Sequence, residues 1–166
     1  CGSGLIDALS EMYKVRILDS LGKIRGDLIS PRIRRGDEGL EYLLVPGEEN
    51  DIGRDIVITQ KDVDNLMDSK AATCAAVAVL MKKVGLSVSD VNNLYLFGAF
   101  GNYVDLGSAT TLGVFPELPN AETFQLGNGS LAGAYLTLLS IEKRHEAERI
   151  AEDMTYYDLT ADPDFM

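Results

Sequence analysis

Two glycine-rich stretches hold the residues best suited to ligand chemistry. The first is Leu94-Tyr-Leu-Phe-Gly98-Ala99-Phe100-Gly101-Asn102-Tyr103, an apolar run that breaks into glycines. Glycine lets backbone approach a ligand closely and permits positive φ. The unpaired N–H groups of a following helix suit an anion. The same glycines would also serve a tight strand-to-helix turn, since a lone glycine-rich turn specifies little. The second stretch is Gly127-Asn128-Gly129-Ser130, again after a strand-like run and before a helix-like one. Asn128 suits a helix cap. Two such turns in one α/β chain belong on the same edge of a sheet, where ligands collect at strand carboxyl ends. Neither stretch is a Walker A loop, and neither completes the dinucleotide fingerprint.

Lys70 is the third candidate. The positions Val63, Met67, Lys70, Cys74, Val77 and Met81 repeat at helical spacing, so a lysine falls on an apolar stripe. A buried ammonium needs a partner or an exit to water. Lys70 therefore either faces a cleft and meets ribose or phosphate, or extends its stem to the surface. Residues 14–36 carry Lys14, Arg16, Lys23, Arg25, Arg32, Arg34 and Arg35 against Asp19 and Asp27, a local charge of +5. That segment would steer an acidic partner or form a solvated face. His145 lies among alternating charges and reads as a solvated surface histidine, Cys74 as core. Asp7 and Asp105 each lie close to a glycine turn, but spacing places no catalytic carboxylate pair, and no nucleophile–histidine constellation is present.

The elements that must position these groups alternate between strand and helix. Ser3 is placed to cap a first helix with Leu5, Ile6, Leu9 and Tyr13 on its apolar face. Strands are expected at Tyr42–Val45 and Asp55–Thr59. Thr59 and Asp62 then form a capping box for a helix of about Lys61–Val84, stopped by Gly85. Leu94–Phe97 reads as a strand buried on both faces, and the glycine stretch that follows it as a turn. A short helix at about 105–112, a strand at Thr123–Leu126, one long helix from Ser130 to Glu152 and a last strand at Thr155–Leu159 complete the order. This is an α/β chain.

The chain has 166 residues, 46% hydrophobic and 25% charged, the proportions of a folded globular protein. Its 26 acidic against 15 basic residues give a net charge of −11, which argues against a nonspecific nucleic-acid binder. No apolar run approaches the ~20 residues of a membrane span. Two cysteines and one histidine rule out a disulfide scaffold and a self-contained four-cysteine metal or iron–sulfur site. A reducing, cytoplasmic compartment is expected. The abrupt opening at Cys1 into a helical pattern is expected of the C-terminal piece of a longer protein.

Several blocks occur in a recognisable order: Cys1-Gly-Ser-Gly-Leu-Ile-Asp-Ala-Leu, Asp55-Ile-Val-Ile-Thr-Gln-Lys-Asp62, Leu94 to Asp105, Gly127-Asn128 before a Leu-Ala-Gly-Ala helix, and Pro163-Asp-Phe. Over essentially its whole length the chain resembles the C-terminal region of the reductive activators of corrinoid enzymes. The resemblance implies part of an actin-like (ribonuclease H-like) ATPase domain, a mixed sheet flanked by helices, spanning residues 1–166. It implies ATP or ADP with Mg as cofactor, and a [2Fe-2S] centre only in a preceding part of the parent protein. It implies a corrinoid protein of a methyltransferase system and an electron donor as partners, with no nucleic acid and no membrane. The adenosine contacts would be Gly98, Ala99, Phe100, Gly101 and Asn102, with Gly127, Asn128, Lys70 and Gln60 nearby. No residue of this chain is assigned to a metal or to catalysis. Ala99 stands where the superfamily has a second glycine, and a positive φ there would cost alanine about 1 kcal/mol. The superfamily's phosphate loops are expected before Cys1, so the chain by itself should lack complete catalytic machinery. Two other readings remain: a docking module for a corrinoid protein centred on the basic segment, or part of another actin-like kinase or dehydratase activator.

Overall fold

The computed structural model describes residues 2–165. Cys1, which opens the first recognisable block, lies outside them, as does Met166. The chain divides into two compact units. The first holds residues 3–74 and 105–115, the second residues 75–104 and 116–165.

The first unit begins with helix α1, Gly2–Lys14, which buries Ile6, Leu9, Ser10 and Met12. Ser3, expected before the helix, lies inside it, since the helix already starts at Gly2. The basic segment is mostly turns, with one bridge between Leu18 and Ile24. It ends in β1, Ile33–Gly36, the edge of an antiparallel sheet ordered β1-β2-β3 with β2 at Gly39–Val45 and β3 at Ile56–Thr59. Helix α2, Gln60–Val84, follows directly. The predicted capping box is formed: the Asp62 N–H donates to Thr59 Oγ1 at 3.1 Å, and the Thr59 N–H donates to Asp62 Oδ2 at 2.9 Å. Gly85, with φ +68, closes the helix as its sequence position suggests. Ile6, Leu9, Ile58, Val63, Ala109 and Leu112 form the centre of the first unit's core.

The second unit is built on a parallel pair, β4 (Asn93–Leu96) and β5 (Glu122–Gln125). The α/β expectation is met by helices combined with one antiparallel and one parallel sheet. Strand β4 is not buried on both faces: its exposure alternates, and Tyr95 is 52% exposed while stacking on Phe124 at 5.2 Å. The glycine stretch after β4 is helical, α3 at Gly98–Tyr103, and not an open turn. Helix α4, Leu106–Leu112, belongs to the first unit and is capped by Asp105, whose Oδ1 accepts from the Ser108 N–H at 2.7 Å.

The expected long C-terminal helix is two helices, α5 (Gly129–Leu139) and α6 (Ile141–Asp153). Ser140 breaks it. The residue is extended, and its hydroxyl caps α6 by accepting from the Lys143 N–H at 3.2 Å. The split also separates an apolar helix from a charged one. Helix α5 buries no residue, leaving Leu131, Tyr135, Leu138 and Leu139 exposed. The expected strand at Thr155–Leu159 is absent. Asp158 instead accepts from the Thr160 N–H at 3.0 Å and starts a short 3₁₀ turn, a local bond that competes with a ladder. Among the described residues, no helix is long and apolar enough to cross a membrane.

Candidate functional site

The carboxyl ends of β4 and β5 meet in the second unit. Their register pairs Leu96 with Gln125, and the Leu126 N–H continues the ladder by donating to Leu96 O at 2.9 Å. Both strands then turn through left-handed glycines, Gly98 at φ +85 and Gly127 at φ +64. The Gly98 N–H donates to Gly127 O at 2.6 Å, tying the turns together. Helix α3 starts at Gly98, and α5 starts after Asn128, whose Oδ1 accepts from the Leu131 N–H at 3.0 Å. Gly98–Asn102, Gly127 and Asn128 are thus gathered at one sheet edge. That is where parallel strands present ligands to helix N-termini.

The surroundings of this edge explain its composition. A Cβ on Gly98 would meet nothing within 4 Å, so space opens in front of that residue. Gly101 is buried against β4, where a Cβ would stand 3.2 Å from Leu96 Cβ. On Gly129 a Cβ would fall 2.3 Å from the Phe97 ring. Ala99 sits within α3 and is not among the residues with positive φ, so the strain considered for it is not incurred. Sequence reasoning overlooked Gln125, whose Nε2 donates to Gly101 O at 2.8 Å and to Val104 O at 3.0 Å, fixing α3 beside the strand end. A polar residue closing an otherwise half-apolar strand was the available signal.

Gln60 and Lys70 belong to the first unit. The Gln60 side chain spans a loop: Oε1 accepts from the Ile24 N–H at 2.8 Å, and Nε2 donates to Gly22 O and Asp64 Oδ1, both at 2.9 Å. Lys23 pairs with Asp64 at 2.7 Å, and this ammonium first, with the Gln60 amide second, holds the Asp64 carboxyl below the usual range. Lys70 is half-buried on the wall of a groove shared with Tyr13, Leu18, Asp19, Met67 and Thr111. Its Nζ stands 3.1 Å from the position a Cβ would take on Gly113, at the end of α4. The Cys74 thiol, also half-buried, donates to Gly113 O at 3.4 Å.

Much of the basic segment is neutralised internally. Arg34 bridges Glu41 at 2.8 Å and Asp55 at 2.7 Å, Arg25 pairs with Asp27 at 2.6 Å, and Arg32 donates to the carbonyls of Leu43 and Leu44. The Gly47 N–H, and then Arg34, hold the Asp55 carboxyl below its usual range. His145 is exposed beside Glu148 on α6, as its sequence context suggests.

The family model described as the C-terminal domain of RACo, the ASKHA domain, matches residues 1–166. The corrinoid activation enzyme RamQ of Eubacterium limosum is 32% identical over 173 residues, covering 100% of this chain and 29% of that protein. A reductase of the Co(II) methylated amine-specific corrinoid protein from Methanosarcina barkeri is 32% identical over 154 residues, covering 93% of this chain and 24% of that protein. A solved structure of a reductive activator for corrinoid, iron–sulfur protein matches with a TM-score of 0.89 and 38% identity, covering 100% of this chain and 26% of that one. The chain therefore spans between 24% and 29% of the length of these relatives. It belongs to the family of C-terminal ASKHA domains of corrinoid-protein reductive activators.

Proposed function

We propose that this chain is the nucleotide-binding C-terminal part of an ATP-dependent reductive activator. In this reading the full-length protein is cytoplasmic and returns an inactive Co(II) corrinoid protein of a methyltransferase system to Co(I). Electrons come from a [2Fe-2S] domain elsewhere in that protein, and the nucleotide carries its own Mg. The observation that supports nucleotide binding most directly is the tie between the two strand-end turns, the Gly98 N–H to Gly127 O bond of 2.6 Å with open space before Gly98. Adenosine would lie against the backbone of Gly98–Asn102, with Gly127 and Asn128 bordering it. Lys70 belongs to the first unit, on the wall of that unit's own groove. The Gln60 amide, also in the first unit, is engaged in holding a loop there.

The bound nucleotide supplies free energy to an electron transfer that is unfavourable at ordinary donor potentials. It does so only through its different affinities for two states of the protein. This chain's part is to bind and orient the nucleoside on a rigid strand-end frame.

The test is Gly98→Val in the full-length protein. At φ +85 a β-branched residue is strained, and its side chain would fill the space before the turn. Nucleotide affinity should fall at least about tenfold, worth ~1.4 kcal/mol, while corrinoid-protein binding persists. Unchanged nucleotide affinity would remove the adenosine assignment.

A further inference from the structure

The groove of the first unit has features that the adenosine reading does not use. Its inner recess, about 120 Å³, is lined by Tyr13, Leu18, Asp19, Ser20, Met67 and Lys70, among others. An outer part of about 500 Å³ shares Tyr13, Leu18, Asp19, Ser20 and Thr111 and adds Lys14, Arg16 and Arg25. Ordinary small-molecule pockets span roughly 300–1,000 Å³, so the inner recess suits one charged group rather than a whole ligand.

The cations here differ in how they are paired. Lys14 pairs with Glu11 at 2.8 Å, and Arg25 with Asp27 at 2.6 Å. Among the described residues, the side chains of Arg16 and Lys70 have neither an ion-pair nor a hydrogen-bond partner. Asp19 is the carboxylate among the lining residues, and its Oδ1 accepts from the Leu21 and Lys23 N–H groups, both at 2.8 Å. The hydroxyls of Tyr13 and Ser20 also lack hydrogen-bond partners among the described residues. The groove thus has two free cations and two free hydroxyl donors.

Arg16 adds an independent observation. It is the non-glycine residue with positive φ, +63, among the described residues. It follows α1 where its N–H donates to Tyr13 O at 3.0 Å, a helix-end position that glycine fills without strain. A charged side chain is held there at a conformational cost that glycine would avoid. Backbone outliers of this kind cluster at ligand clamps.

We propose that the groove is a phosphoryl-binding site, with Lys70 in the inner recess and Arg16 at its mouth supplying the counter-charge. The hydroxyls of Tyr13 and Ser20 complete the donor set, and the Gln60-braced loop fixes the wall that carries Asp19 and Ser20. The proposal stands on the first unit alone and does not rest on the adenosine contacts of the second. A free phosphate compound and the phosphates of a nucleotide present the same chemistry.

The experiment is calorimetric titration of the full-length protein with pyrophosphate, ADP and adenosine at constant ionic strength. The variants are Lys70→Met, Lys70→Arg and Arg16→Asn. Asparagine tolerates the left-handed backbone, so Arg16→Asn removes the charge without adding strain. Lys70→Met and Arg16→Asn should each weaken phosphoryl binding about tenfold, as expected for loss of a charge-assisted bond, and Lys70→Arg should recover most of it. Weakened pyrophosphate binding would support the site and identify a free phosphate compound as sufficient. Weakened ADP binding with undetectable pyrophosphate binding would support it with the nucleotide as the source. Less than a twofold change for both ligands would overturn it, as would weakening confined to corrinoid-protein binding. Failure of adenosine to bind anywhere would count against the glycine turns and not against this site.

Discussion

The side chain of Gln60 offers a direct test of how the first unit holds its loop. Substituting leucine removes three hydrogen bonds: from the Ile24 N–H, to Gly22 O and to Asp64 Oδ1. Asp64 keeps its Lys23 partner, so losing the amide there costs little. The Ile24 N–H and the Gly22 carbonyl lose a part-buried partner each. At about 1 kcal/mol net per bond, Gln60→Leu should destabilise the loop by about 2 kcal/mol. Local opening should then rise roughly 30-fold. Gln60→Glu keeps an acceptor for the Ile24 N–H but brings a second carboxylate toward Gly22 O and Asp64, so it should be no milder. Amide hydrogen exchange reads the effect, because the Ile24 N–H is bonded directly to Gln60. Ile24 exchange should accelerate by that factor, with a lower urea midpoint. A less than threefold change in Ile24 exchange, with an unmoved midpoint, would refute the bracing role.

Gly129→Ala should displace the Phe97 ring, since the new Cβ would lie 2.3 Å from it, and cost about 1–3 kcal/mol in urea unfolding; an unmoved midpoint would show that the ring yields freely. Thr59→Ala removes the acceptor for the Asp62 N–H and should cost about 1 kcal/mol at the start of α2. The Asp162 carboxyl is held below the usual range first by Lys83 at 2.7 Å and then by the Asp164 N–H. Its depressed folded-state pKa makes this stabilisation complete above the unfolded value of about 3.9, and it is lost as pH falls through the lower folded value. NMR signals of residues 159–165 should show an acid transition there, and Asp162→Asn should abolish it.

The readable features in the sequence were those fixed by local chemistry. Helix α2 announced itself by its 4-3 spacing, the Thr59–Asp62 box and Gly85, and the same spacing put Lys70 on the stripe that becomes the groove wall. Gly98 and Gly127 were readable as turn residues because positive φ strongly favours glycine. Their mutual hydrogen bond was not, since it joins segments 29 residues apart in the chain. The helical form of Gly98–Tyr103 was hidden because glycine disfavours helix interiors. Only the close approach to Leu96 explains Gly101 there. The single long helix and the last strand are absent for one reason: Ser140 and Asp158 each draw a neighbour's backbone N–H to their own side chain. Charge counting made residues 14–36 look like an open basic face. It could not show that Arg34 and Arg25 find carboxylates while Arg16 does not.

Nucleotide binding is the central claim, and calorimetric titration of Mg·ATP and ADP into the 166-residue chain beside the full-length protein tests it most directly. Mg·ATP and ADP should bind the full-length protein, and Gly98→Val should weaken that binding at least about tenfold. Absence of binding to the full-length protein, under conditions where it binds its corrinoid partner, would contradict the account and leave the domain a docking module.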